Sequence, residues 1–84
     1  MHRPTNFKYR ATNHDVEVFL IPPTMCEPNT RIAVFVKGID ESLRVDDVPS
    51  LNPDVADERF IETLREFKAD KVTISTSKDS VSTC

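Results

Sequence analysis

Apolar and polar residues alternate singly through the first half of the chain and take up helical spacing after residue 52. From Asn6 to Thr12, Phe7, Tyr9 and Ala11 face one way and Lys8, Arg10 and Thr12 the other. That period of two predicts a half-buried strand. Asn13-His14 reads as a two-residue turn. Asp15 to Ile21 then resumes the alternation with Val16, Val18 and Leu20 inward. Phe19 and Ile21 make its second half apolar on both faces, and the two segments predict an antiparallel hairpin. Arg31 to Lys37 is the most apolar strand. Ile32, Val34 and Val36 point one way and Ala33 and Phe35 the other, so a central position covered on both faces is expected. Gly38, the only glycine, ends it.

The spacing changes at Asn52-Pro53, which reads as an N-cap followed by proline in the first helical position. A helix is predicted from about Pro53 to Ala69, with Ala56, Phe60, Ile61, Leu64 and Phe67 as its buried stripe. Lys71 to Thr76 reads as a last strand with Val72 and Ile74 inward. Residues 22–30 form a loop stiffened by Pro22, Pro23 and Pro28. Residues 39–52 read as a long acidic connection anchored by Leu43, Val45, Val48 and Leu51.

The order β-β-β-α-β predicts a two-layer α+β fold. A four-stranded mixed sheet carries one amphipathic helix packed on one face. Should the third and fourth strands be neighbours, the helix makes a right-handed parallel crossover. Residues 1–77 are expected to form one small domain and residues 78–84 a flexible polar tail.

The chain has 84 residues, with 38% hydrophobic and 30% charged. That suits a small soluble domain with room for one core and none for a buried cofactor, so no cofactor is expected. No apolar run approaches the roughly 18 residues of a membrane helix. The first residues lack the apolar stretch of a signal peptide, and the methionine start leads us to expect the complete protein. Cys26 and Cys84 are too few for a disulfide framework. The expectation is a reduced, cytoplasmic setting, with Cys26 as a small apolar plug and Cys84 as a tail thiol.

Charge is uneven within a net of −3. Residues 1–14 carry Arg3, Lys8 and Arg10 and no acid before the turn. Residues 39–58 carry Asp40, Glu41, Asp46, Asp47, Asp54, Asp57 and Glu58 against Arg44 alone. Asp54, Glu58, Glu62, Glu66 and Asp70 recur at every fourth position, which on a helix makes one negative ridge. Like charges at that spacing cost about 0.2–0.5 kcal/mol per pair. Arg59 and Arg65 flank Glu62 and relieve part of the repulsion.

Catalytic and metal signatures are missing. His2, His14, Cys26 and Cys84 show no paired ligand spacing. A single glycine excludes the phosphate-binding loop and the dinucleotide fingerprint. The chain is therefore expected not to be an enzyme. The leading expectation is a small protein-binding module, an acidic inhibitor or adaptor that docks on a basic site of a larger protein. Nucleic-acid mimicry, of the kind that phages and viruses direct at host enzymes, is its sharpest form. Its contact residues would be Asp40, Glu41, Asp46, Asp47, Asp54, Glu58, Glu62, Glu66 and Asp70. The runner-up is a nucleic-acid module using Phe7, Lys8, Tyr9 and Arg10, which acidic charge disfavours. A third reading is a small metal or thiol enzyme around His14 and Cys26. An exposed strand edge would also allow a homodimer.

Overall fold

A computed structural model describes residues 2–4, 6–49 and 52–74. Within them lie β1 (Tyr9–Thr12), β2 (Val16–Ile21), β3 (Thr30–Val36), β4 (Ser42–Val48), α1 (Pro53–Phe67) and β5 (Lys71–Ile74). The expected tail, with Cys84, falls outside the described residues.

The fold is α+β, with one helix on a five-stranded sheet of order β4-β3-β2-β1-β5. Every pairing among the described strands is antiparallel. This corrects the expected four-stranded mixed sheet in two respects. β4 arises inside the acidic stretch read as a connection. β5 pairs with β1 at the far edge and not with β3, so α1 carries the chain from one edge to the other and the parallel crossover does not form. β2 is the central strand, and β3 lies beside it.

Local chemistry explains the elements. Asn13 Oδ1 accepts the backbone N–H groups of Asp15 at 2.7 Å and Val16 at 2.8 Å, an Asx turn that starts β2. Its Nδ2 donates to the Phe67 carbonyl at 2.7 Å, fastening the hairpin to the end of the helix. At the other end of α1, Asn52 Oδ1 accepts the Asp54 N–H at 3.0 Å, and Pro53 follows as expected. The helix stops at Phe67, before the expected Ala69, because Lys68 turns left-handed (φ 57°). Ala69 N–H then bonds the Leu64 carbonyl at 3.0 Å. Asp70 therefore lies beyond the helix.

The sheet is apolar on both faces, as the β3 pattern predicts. On the helix side Val18, Leu20, Ile32 and Val34 pack against Ala56 and Phe60. On the outer side Phe19, Ile21, Ala33 and Phe35 form a second cluster with Phe7 and Val45. The N-terminal arm helps to cover that outer side. Arg3 stacks on the Phe35 ring at 5.3 Å and donates to the Val36 carbonyl at 2.9 Å. Arg3 and Arg10 both grip Glu17, at 3.1 and 2.7 Å. Burial alone would push the Glu17 carboxyl up. The two guanidinium groups outweigh it and hold the carboxyl below its ordinary range.

Three expected inward positions are open. Ile61 is 47% exposed, and Thr63 is buried in its place, its hydroxyl donating to the Arg59 carbonyl at 2.9 Å. Val72 and Ile74 are 52% and 65% exposed. The cause is the seat of the helix. It packs on β2 and β3, so its buried stripe turns toward Thr63 and leaves the β1–β5 flank uncovered. Phe7 also departs from expectation. It precedes β1 and meets Phe19 edge-on at 5.3 Å on the outer side, while Tyr9 stacks on Phe60 on the helix side.

A candidate protein-binding surface

Asn52 fixes the start of α1 and the apolar residues Ala56 and Phe60 fix its roll. The residues opposite that buried side must then face water. Asp54, Glu58, Glu62 and Glu66 are all exposed there and form an acidic crest of four carboxylates. Asp54, Glu58 and Glu62 make no side-chain ion pair among the described residues. Asp54 sits in the first turn, where the helix dipole favours negative charge. Glu66 differs, because Arg44 reaches across from β4 and pairs with it.

Arg44 is the junction between the helix and its nearer sheet edge. It also contacts Asp46 at 3.2 Å and stacks over the Phe67 ring at 5.2 Å. The hydrogen bond with Glu66 holds the Arg44 guanidinium above its ordinary range. Two of the nine expected contact acids, Asp46 and Glu66, thus have an internal partner and share the one charge of Arg44. Asp40 is a third. His2 Nδ1 bonds it at 2.9 Å and Arg3 approaches to 3.6 Å, and these contacts hold its carboxyl below the ordinary range.

The nine acids do not share one face. Asp40 and Glu41 lie in the β3–β4 turn. That turn adjoins the β1–β2 turn through the Lys37 N–H to Asp15 carbonyl bond of 2.9 Å, at the end of the molecule opposite Asp54. Asp47 pairs in register with Arg31 and projects to the outer side of the sheet, away from the helix. Asp70 leaves the ridge with the helix end at Phe67. The contiguous part is the crest from Asp54 to Glu66. The Arg44 bridge and the Arg3 clasp were missed from sequence. Arg44 was visible as the lone cation in an acidic stretch, but its reach to Glu66 depends on a strand that the acids concealed.

The other two candidate groupings are not assembled. Phe7 and Tyr9 stand on opposite faces, each against another ring. Lys8 lies 3.7 Å from Asp57 and Arg10 is tied to Glu17, so the four do not form one stacking platform. His14 is in the β1–β2 turn and Cys26 in the loop after β2. The six residues of β2 separate them, a span of about 20 Å at ~3.4 Å per residue. Cys26 is exposed and disulfide-bonded, which corrects its reading as an apolar plug. Among the described residues no three His, Cys, Asp or Glu side chains cluster as metal ligands would. No described helix is long and apolar enough to cross a membrane.

Comparisons with protein-family models, curated proteins and solved structures find no match to this chain.

Proposed function

We propose that this chain is a small non-enzymatic protein-binding module, an acidic inhibitor or adaptor that docks its helix crest on a basic site of a larger protein. The observation that carries the reading is the state of Asp54, Glu58 and Glu62. All three are exposed, and none is neutralised by a side chain among the described residues, although the helix carries cations nearby in Arg59 and Arg65. A linear row of carboxylates without ion-pair partners is only partly offset by the flanking arginines and the helix dipole, and a basic groove would recover the rest. A site built for phosphates is one such groove. The contact set contracts from nine acids to these three, with Glu66 available only if Arg44 releases it.

A decalysine peptide serves as a defined basic probe. Wild-type protein should bind it with an affinity that falls as salt rises, since exposed charges are screened within roughly 8 Å at physiological salt. The pair Glu58→Lys and Glu62→Lys should abolish that binding and leave the melting temperature within a few degrees, because both positions face water. Equal binding by the double variant defeats the reading. Salt-dependent binding to a single-stranded oligonucleotide, retained by the double variant, would favour the Phe7–Arg10 reading instead.

A cytoplasmic setting belongs to the same proposal, and Cys26 tests it. Disulfides persist in oxidising compartments and are rare in the cytosol. A cytoplasmic setting requires the Cys26 disulfide of the structure to be open in the cell, so protein from its native source, denatured without reductant, should titrate two free thiols. Titration of none would move the setting to an oxidising compartment.

A further inference from the structure

The flank left open by the helix ends in β5, an edge strand whose neighbour among the described strands lies only on its β1 side. Val72 and Ile74 stand opposite Ala11 and Tyr9 and so project to the helix side. With Tyr9, Phe60, Ile61 and Leu64, Val72 lines an apolar trough of about 190 Å³, with Asp57 at its rim. We propose that β5 pairs antiparallel with β5 of a second copy, about a twofold axis through Thr73. Two five-stranded sheets would join into one.

Register selects this axis. Antiparallel partners share a face, so a slip of one residue would set Val72 against a threonine of the wrong face. With the axis at Thr73, Val72 lies opposite Ile74 of the partner subunit on the helix side, and the two Thr73 side chains meet on the outer side. Apolar pairs and threonine pairs are both favourable across strands. Centring on Lys71 would oppose two like charges, and centring on Val72 would set Asp70 against an isoleucine. A twofold axis normal to the sheet keeps both helices on one side, so the two troughs meet and Ile61 of each faces the joint.

Charge permits the approach. The two acidic crests lie over the β2–β3 side of each sheet. Five strand spacings of about 4.8 Å separate β2 from its equivalent, roughly 24 Å. That is several times the screening length at physiological salt. Among the described residues no other segment lines the trough. Residues 75–84, which follow β5, contain one aliphatic residue, Val81, too little to fill the trough.

Sedimentation equilibrium on the full chain tests the proposal, with non-reducing gel electrophoresis to discount any cysteine cross-link between copies. Wild type should dimerise between roughly 1 μM and 1 mM, the range of a modest interface. Val72→Lys and Ile74→Lys should each weaken the dimer at least roughly tenfold, with unchanged circular dichroism. Leu43→Lys on β4 should leave it intact. Register has its own readout. Thr73→Lys and Thr73→Glu should each dissociate alone and pair when mixed, because only a twofold axis there sets residue 73 against itself. A wild type that is monomeric at 1 mM overturns the proposal, as does dissociation by Leu43→Lys or failure of the mixed pair to associate. The acidic-crest reading stands or falls separately, since Glu58 and Glu62 take no part in this joint.

Discussion

β4 and β5 close the same sheet at its two edges. β4 has seven residues, among them Arg44, Asp46 and Asp47, and its register shifts opposite Val34 and Phe35. Its helix-side charges are engaged by one another and by Glu66. β5 has four residues, every one of them exposed, and it turns Val72 and Ile74 toward water on the helix side. Charges and irregular register are the ordinary means by which an edge resists pairing with another chain. β4 has both. β5 has its brevity and Lys71. The contrast shows that the helix does not divide its cover evenly: it seals the half of the sheet beside β4, where Arg44 ties it down, and leaves Val72 and Ile74 of β5 exposed.

Phe60 offers the hardest test of that asymmetry. It is 3% exposed and stacks on Tyr9 at 5.6 Å, so it is the main apolar link between the helix and the open flank. Phe60→Ala should cost about 3–5 kcal/mol in urea denaturation, a large share of the roughly 4–12 kcal/mol expected of a domain this size. Hydrogen exchange should show the β1 and β5 amides losing protection before those of β3 and β4. Uniform loss across the sheet would mean that the two flanks unfold as one unit and that the comparison has no energetic content.

The same contrast separates what could be read from sequence from what could not. β1, β2 and β3 announce themselves because strict alternation, or a short run apolar on both faces, fits a strand and little else. The helix start was legible because Asn52-Pro53 supplies both a side-chain cap and a backbone preset for the first turn. β4 was not legible, although Leu43, Val45 and Asp47 alternate with Arg44, Asp46 and Val48. An edge strand can carry its polar residues inward over the helix rim, and there the alternation no longer sorts apolar from polar. β5 failed in the opposite sense. Val72 and Ile74 have the spacing of inward residues and do stand on the inner face. Whether that face is covered depends on where the helix crosses the sheet, which no local pattern specifies. Ile61 and Thr63 exchanged burial for this reason too. The acidic crest was legible because a four-residue period on a well-capped helix fixes which residues share a face. The placement of the other acids was not, because Asp40, Glu41 and Asp47 read only as part of an acidic connection, and strand order decides on which end and face each stands.

Converting one edge into the other sharpens the comparison at smaller energetic scale. Arg44→Val with Asp46→Val removes the charges on the helix side of β4 and leaves an apolar edge of seven residues. The stability change should be modest. Arg44 and Glu66 are 37% and 55% exposed at their side chains, and exposed pairs contribute about 0–1 kcal/mol. Valine also suits a strand. The change in association should exceed the change in stability. Once the guards are gone, β4 presents unpaired backbone beside apolar side chains, as β5 does now. The double variant should form larger assemblies than a dimer in sedimentation velocity at concentrations where wild type does not, since each copy would then carry two adhesive edges. Light scattering that stays at wild-type levels would place the protection of β4 in its register shift opposite Val34 and Phe35, and not in its charges. Restoring Asp46 alone then distinguishes the two contributions. A single inward carboxylate without Arg44 beside it has no cation to satisfy it at that edge, and an unpaired charge there should suppress pairing by itself.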